Sequence, residues 1–205
     1  TRSRGLGDVY KRQVECDTGA NRCGVISPSA ALKLAKVISS NNNLIFGGLM
    51  TYPPISESEK VNSFLAEAKD LIEKNGIKVE TVSIGGSPDM WKVKKIPIAN
   101  EYRIGTYIFN DRSLLHRGVC KERDCALTVL ATVVSTPTDY RAIVDAGSKV
   151  LTSDLFGLED YGRVLSKPHL KICQLTEEHG TIISDNPTGL KLSLIHISEP
   201  TRPRI

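Results

Sequence analysis

Residues 14–25 read VECDTGANRCGV. Val14–Cys16 has the texture of a buried strand, and it runs into a polar, glycine-containing loop with one arginine, Arg22, at its mouth. Loops at the ends of strands carry ligand chemistry in α/β proteins, so everything outward of this stretch is read for further strands and for what lies at their ends. Downstream, Ser27-Pro28 supplies a cap residue and a proline for a helix's first turn. In SAALKLAKVISS (29–40) the residues Leu32, Leu34, Ala35, Val37 and Ile38 suit a partly buried helix face. LIFGGLMTY (44–52) is a second strand, continuously apolar as doubly covered parallel strands are. Ser56-Glu57-Ser58-Glu59 has the form of a capping box. It opens a helix with Val61, Phe64, Leu65, Ala68, Leu71 and Ile72 on one face, stopped at Asn75-Gly76. KVETVSIGG (78–86) gives the third strand, and IPIANEYRIGTYIFND (96–111) a connection and the fourth.

A βαβαβ order with short loops predicts a parallel sheet with right-handed crossovers. Four such strands cannot close an eight-stranded barrel, so the pattern fits part of one. From Cys125 the texture changes: ALTVLATVVST, YRAIVDAG, KVLTS and LKICQLTEEHGTIIS are rich in strand formers and lack long intervening helices. A second, mainly antiparallel β domain is expected from near Cys120.

The two ends share a relationship that no folded protein requires. Asp8–Gln13 back-translates as GAT GTG TAT AAG AGA CAG, whose reverse complement encodes Leu192–Ile197, and allowed codons extend the match outward. An inverted DNA repeat of the kind that sequencing-library adapters leave accounts for this. Residues 1–13 and 192–205 are therefore expected to be non-native tails, and residues 14–191 an internal fragment of a longer gene. Within it, residues 14–119 form the partial barrel and residues 120–191 the partial β domain.

The chain carries 27 basic and 23 acidic side chains, net +4. The tails hold Arg2, Arg4, Lys11, Arg12, Arg202 and Arg204 against Asp8 and Glu199, so without them the charges balance. That removes any electrostatic case for nucleic-acid or membrane binding. No apolar run approaches the roughly 20 residues of a membrane span. The five cysteines, an odd number without metal-type pairing, read as reduced cytosolic thiols.

Three loops could carry chemistry. Gly85-Gly86-Ser87-Pro88 joins a strand to a helical turn; its glycines let the backbone approach an anion and Ser87 adds a hydroxyl, which suits phosphate, while a tight turn with Ser87 as an ordinary N-cap is the commoner use of such a loop. Arg103-Ile104-Gly105-Thr106-Tyr107 repeats the logic at the next strand. Arg22 offers a planar donor for an anionic oxygen or a partner for Asp17. Tyr52 ends the second strand as packing or as a ligand contact. Glu177-Glu178-His179-Gly180 clusters titratable groups in what reads as a solvated turn.

In order, VECDTGANRCGV (14–25), GGLMTYPP (47–54), VSIGGSPDM (82–90), NEYRIGTYIFND (100–111), CALTVLATVVS (125–135), RAIVDAGSK (141–149), LTSDL with GLEDYG (151–162) and LTEEHG (175–180) resemble the D-threonine aldolase family. That family belongs to the alanine-racemase-type, fold-type-III pyridoxal-phosphate (PLP) enzymes. The resemblance implies an α/β fold: the C-terminal part of a PLP-binding TIM-type (β/α)8 barrel, then the start of a mainly antiparallel β domain. It implies PLP contacts from Arg22, Tyr52, Gly86, Ser87, Arg103, Gly105, Thr106 and Tyr107, with Arg103 in the slot that faces the pyridine nitrogen in alanine racemases. The implied reaction is cleavage of a D-3-hydroxy amino acid to glycine and an aldehyde, with PLP as electron sink and a divalent metal (Mn, Mg or Zn) on the hydroxyl. The family's Schiff-base lysine lies upstream of this stretch; Lys11, Lys33 and Lys36 stand in no such context. Its metal ligands lie downstream, and His196 is not one of them. The fragment is expected to be inactive as written, and its full-length form to be a cytoplasmic homodimer acting on small amino acids. D-serine dehydratase, an amino-acid racemase of the same fold and a non-catalytic PLP carrier are the alternatives.

Overall fold

The computed structural model describes residues 10–198. The outer parts of both expected tails, residues 1–9 and 199–205, lie outside the described residues. The chain divides into two compact units, residues 1–105 and 106–205.

The first unit is a four-stranded parallel sheet with two helices. Its strands are β1 (Tyr10–Cys16), β2 (Leu44–Thr51), β3 (Val82–Gly85) and β4 (Glu101–Arg103), ordered β1-β2-β3-β4. Helix α1 (Pro28–Ser39) follows β1 and α2 (Ser58–Lys74) follows β2. The Ser27 hydroxyl caps α1 by accepting from the Ala30 N–H at 3.2 Å, with Pro28 at the first position, as the sequence signals. The buried face of α1 is Ala31 and Ala35, whereas Leu34 and Val37, expected on it, are 44% and 63% exposed. Leu32 and Ile38 pack against the core beside the two alanines, and helical period puts Leu34 and Val37 away from that stripe. Helix α2 buries Val61, Leu65, Ala68 and Ile72 at 0% exposure, each large apolar one stabilising by about 1.5–3 kcal/mol.

The expected capping box at 56–59 does not form. The N-cap of α2 is Glu57 without a side-chain hydrogen bond. Ser56 sits at φ +64°, and its N–H donates to Asp89 Oδ2 at 2.6 Å, so the loop is tied to the segment after β3 instead. The third strand is also shorter than 78–86. Gly48 lies at φ +111°, and a Cβ there would meet the Thr81 carbonyl at 2.0 Å. That carbonyl accepts from the Leu49 N–H at 2.9 Å, a close approach only glycine permits.

Strand β1 begins at Tyr10, ahead of Val14, and pairs from Tyr10↔Leu44 to Cys16↔Thr51 with a register shift between Arg12 and Gln13. Four residues of the expected first tail thus lie in the sheet.

The second unit starts at Thr106, ahead of the expected boundary near Cys120, because short helical turns and α3 (Arg112–His116) group with the strands that come after them in the chain. Asp111 caps α3, accepting from the Leu114 N–H at 2.9 Å. Strands β5 (Val129–Thr138), β6 (Arg141–Val144), β7 (Arg163–Val164), β8 (Lys167–Leu175), β9 (Gly180–Ile183) and β10 (Leu194–Ser198) form a closed antiparallel barrel in the order β10-β5-β6-β9-β8-β7. Its core includes Val133, Val144, Leu170, Ile172, Ile182 and Ile197. Strand β10 lies in the expected second tail, and alternation puts Ile195 and Ile197 inward and His196 outward.

Candidate functional site

The C-terminal ends of the parallel strands carry most of the expected site residues, and the first unit joins several of them. β1 ends at Cys16, and the loop after it is built on Asp17, whose Oδ1 accepts from the Gly19 N–H at 2.9 Å and the Asn21 N–H at 3.1 Å. These bonds, the Gly19 one foremost, hold the Asp17 carboxyl below the usual carboxylate range. Asp17 therefore shapes the loop through backbone donors, and no ion pair to Arg22 forms among the described residues. The Val25 strand bridge returns the chain alongside β1, with Asp17 N–H donating to Val25 O and Val25 N–H to Glu15 O, both at 2.9 Å.

Arg22 reaches instead to the end of β2, its guanidinium carbon 4.8 Å from the centroid of the Tyr52 ring. A cation–π contact this exposed contributes about 0.5–1 kcal/mol and leaves the guanidinium N–H donors unconsumed. Sequence reading proposed both residues; the contact between them comes from the fold.

Arg103, at the end of β4, is anchored inward. Its Nε donates to Ser83 Oγ at 2.9 Å and its Nη2 to the Thr51 carbonyl at 2.7 Å. Thr51 Oγ1 donates to Cys16 O at 2.7 Å and shares a 3.0 Å hydrogen bond with Thr18 Oγ1. Thr18, Thr51 and Ser83 are 2%, 0% and 0% exposed. One connected set of hydroxyls and carbonyls thus laces the ends of β1, β2, β3 and β4 together. Sequence reading missed these three hydroxyls. For two of them the signal was present, Thr51 and Ser83 inside the apolar runs LIFGGLMT and VSIG, where an unsatisfied hydroxyl would be costly. Beside them Cys16 is buried, and burial first, then the charge of Glu15, pushes its thiol up to about 12.

Gly86 follows β3 at φ +108°, and an added Cβ would come no nearer than 4.0 Å to Pro53. Ser87 behind it is buried and starts a 3-10 segment, Ser87–Lys95. Gly105 is open as well, with nothing within 4 Å of an added Cβ. Bare backbone at Gly86 and Gly105 and a guanidinium at Arg22 with no hydrogen bond among the described residues suit an anionic, planar ligand, so the donor set fits PLP. Thr106 and Tyr107 belong to the second unit, in the 3-10 turn Thr106–Ile108, where Thr106 O accepts from Asn110 N–H at 2.7 Å and Tyr107 is 52% exposed. For a metal the fit fails: no group of three or more His, Cys, Asp or Glu among the described residues could hold one.

Known proteins resemble this chain in sequence and in fold. The chain is 30% identical over 198 residues to 3-hydroxy-D-aspartate aldolase of Paracoccus denitrificans (strain Pd 1222), covering 88% of this chain and 50% of that one. It is 29% identical over 164 residues to D-threo-3-hydroxyaspartate dehydratase of Delftia sp. (strain HT23), covering 74% and 43%. Identity to D-threonine aldolase of Arthrobacter sp is 27% over 186 residues, covering 82% and 47%. The chain thus spans about half the length of the curated relatives it matches. Among solved structures, D-threonine aldolase from Filomicrobium marinum superposes with a TM-score of 0.80 at 24% identity, over 94% of this chain and 55% of that one. Alanine racemase from Corynebacterium glutamicum superposes at 0.64 with 14% identity, over 95% and 58%. The fold is therefore that of the alanine-racemase-like PLP enzymes of fold type III. Residues 126–196 match the profile of a serine dehydratase domain. Residues 2–113 match the profile of the alanine racemase N-terminal domain, and with more than half of its length so matched, the chain belongs to that family.

Proposed function

We propose that this chain is part of a PLP-dependent lyase that cleaves D-3-hydroxy amino acids to glycine and an aldehyde, in the manner of D-threonine aldolase. The observation that carries the reading is the strand-end cluster of the first unit: Arg22 laid on Tyr52 with its donors unspent, and Arg103 locked against Thr51 and Ser83. Arg22, Tyr52, Gly86, Ser87, Arg103 and Gly105 would hold the cofactor, together with Thr106 and Tyr107. Bound there, PLP supplies an electron sink for charge developing at the amino acid's α-carbon. Gly86 and Gly105 let backbone N–H groups approach a phosphate without steric cost. Arg22 supplies planar donors to an anionic oxygen, and its contact with the Tyr52 ring leaves those donors unspent. Arg103 keeps one guanidinium nitrogen, Nη1, beyond its two anchoring bonds.

The aldolase reading is supported by relatives named as aldolases of 3-hydroxy-D-aspartate and D-threonine. A second reading, D-serine dehydratase, is favoured by the serine dehydratase profile over residues 126–196. In either case residues 14–119 belong to the PLP barrel, residues 120–191 to the β domain, and the segments 1–13 and 192–205 derive from adapter sequence. The Schiff-base lysine and the ligands of a divalent metal then lie on sequence beyond this chain, which is inactive alone. The full-length enzyme would be a cytoplasmic homodimer without nucleic-acid or membrane partners; no helix among the described residues is long and apolar enough to cross a membrane.

The test is to sequence the source DNA outward from codons 14 and 191 and assay the full-length product with PLP and a divalent metal. Glycine and an aldehyde from D-threonine or D-3-hydroxyaspartate support the proposal. Pyruvate and ammonia from D-serine would transfer it to the second reading, and no turnover of any of the three would overturn both.

A further inference from the structure

We propose that Asp89 is a positioning residue for the strand-end cluster: its carboxylate holds the loop that carries Tyr52 against the Gly86 loop, and so sets where the Arg22 guanidinium is offered. This role rests on the PLP reading of that cluster and concerns the aim of its donors, not their identity. The loop after β2 reads Tyr52-Pro53-Pro54-Ile55-Ser56. Each proline fixes its own φ and confines the residue before it to extended backbone, so Tyr52, Pro53 and Pro54 make one stiff stretch. The prolines also lack an N–H, which leaves Ile55 and Ser56 as the backbone donors of residues 53–56. The Ser56 N–H goes to Asp89 Oδ2 at 2.6 Å. Lys92 Nζ donates to Asp89 Oδ1 at 2.8 Å and stands 3.5 Å from Ser56 Oγ, closing the clamp from its other side. Ser56 lies at φ +64°, a left-handed state disfavoured for a residue with a Cβ. A bond to a charged acceptor therefore stabilises a conformation that the loop does not prefer by itself.

The stretch that Asp89 fixes lies between the other two loops of the cluster. On one side Pro53, Pro54, Gly85, Gly86 and Asp89 line a single pocket, and Pro53 Cγ is 4.0 Å from where a Cβ on Gly86 would stand. On the other, Pro54 Cγ is 3.6 Å from where a Cβ on Gly19 would stand, in the loop that carries Arg22. Asp89 itself belongs to the segment Ser87–Lys95 that continues the Gly86 loop, and it leaves the helical path there at φ −112°, ψ 22°. Its side chain is 18% exposed, so water competes little for the carboxylate. A shift at Ser56 has one unrestrained residue, Ile55, in which to be absorbed before it reaches Tyr52 and the ring on which Arg22 lies. In the PLP reading Gly86 serves the phosphate and Arg22 an anionic oxygen, so Asp89 couples the two groups that the ligand bridges.

The test uses the purified 205-residue chain, and its first part needs no ligand. Arg22 δ-methylene protons held over the Tyr52 ring are displaced upfield in the NMR spectrum, and Tyr52→Leu sets the zero of that displacement. Asp89→Ala should lose most of it while the amide signals of α1 and α2 stay in place. Asp89→Asn, whose side-chain oxygen still accepts from the Ser56 N–H, should keep most of it. An unchanged displacement in Asp89→Ala would overturn the proposal, and so would equal losses in the two variants. Loss of the folded amide spectrum in Asp89→Ala would also overturn it, because Asp89 would then brace the whole unit.

The second part titrates two ligands: inorganic phosphate, and pyridoxine 5′-phosphate, which keeps the ring and the phosphate but has no aldehyde to react with lysines. Asp89→Ala should weaken pyridoxine 5′-phosphate by about fivefold and inorganic phosphate by less than about twofold. Equal losses for both ligands would overturn the proposal, since Asp89 would then act on the Gly86 loop alone, and so would no loss for either. A wild-type chain that binds neither ligand would sink the PLP reading, and the Arg22 displacement would still decide the role of Asp89.

Discussion

Replacing Thr51 by Val removes one hydroxyl and keeps the side chain's shape. That hydroxyl donates to Cys16 O at 2.7 Å and shares a 3.0 Å bond with Thr18 Oγ1, at residues 0–2% exposed. No cavity opens, so the cost is that of two buried polar groups losing a partner. At about 1–3 kcal/mol for each stranded group, the first unit should lose about 2–6 kcal/mol. With a urea slope of about 1–3 kcal/mol/M, the midpoint should fall by about 0.7 M or more at unchanged slope. The assay is urea unfolding followed by helix ellipticity, which reports chiefly the first unit because the long helices α1 and α2 lie there. Thr18→Val should cost less, since it strands one partner. The double variant should cost less than the two singles summed, because removing both hydroxyls leaves neither looking for the other. A loss below about 0.5 kcal/mol for Thr51→Val would refute the claim that this network fastens the strand ends.

Three further outcomes are expected. Arg112 and Asp160, 4% and 3% exposed at the side chain, form a buried ion pair, and Arg112 Nη2 has no partner. Arg112→Met should cost the second unit about 3–5 kcal/mol, and Arg112→Met with Asp160→Leu should recover most of it, as read by hydrogen exchange in the β-barrel. Gly48→Ala should cost more than about 3 kcal/mol, since its Cβ would stand 2.0 Å from Thr81 O; retained protection of the Leu49 amide would refute the register. The Cys16 thiol is raised from its usual 9.0 to about 12, so its contribution is complete below pH 9 and is lost as the pH climbs toward 12. At about 1.4 kcal/mol per unit the loss is at most ~4 kcal/mol, and Cys16→Ala should flatten the alkaline limb of a pH–stability curve.

Much of this protein is legible without coordinates because its signals are local. Ser27-Pro28 starts α1 and Asn75-Gly76 stops α2, since caps depend on residues a few positions apart. The runs at 44–52 and 78–86 announce buried parallel strands, the second longer than the strand that forms, and Arg22, Gly86 and Arg103 declare themselves by standing at the ends of such runs. Where a neighbour from far along the chain decided the outcome, local reading failed. Asp89 captured the Ser56 N–H and undid a well-formed capping box, and the close approach of Thr81 O reserves position 48 for glycine. Leu34 and Val37 look like core and face outward, because the stripe that meets the core is Ala31, Leu32, Ala35 and Ile38. Sequence by itself determined the strand–helix alternation, the change to antiparallel β structure and the residue types at each strand end. Only tertiary structure decided that Arg22 lies on Tyr52 and that Arg103 hangs from Thr51 and Ser83, for those partners are separated by tens of residues and meet only where parallel strands end side by side.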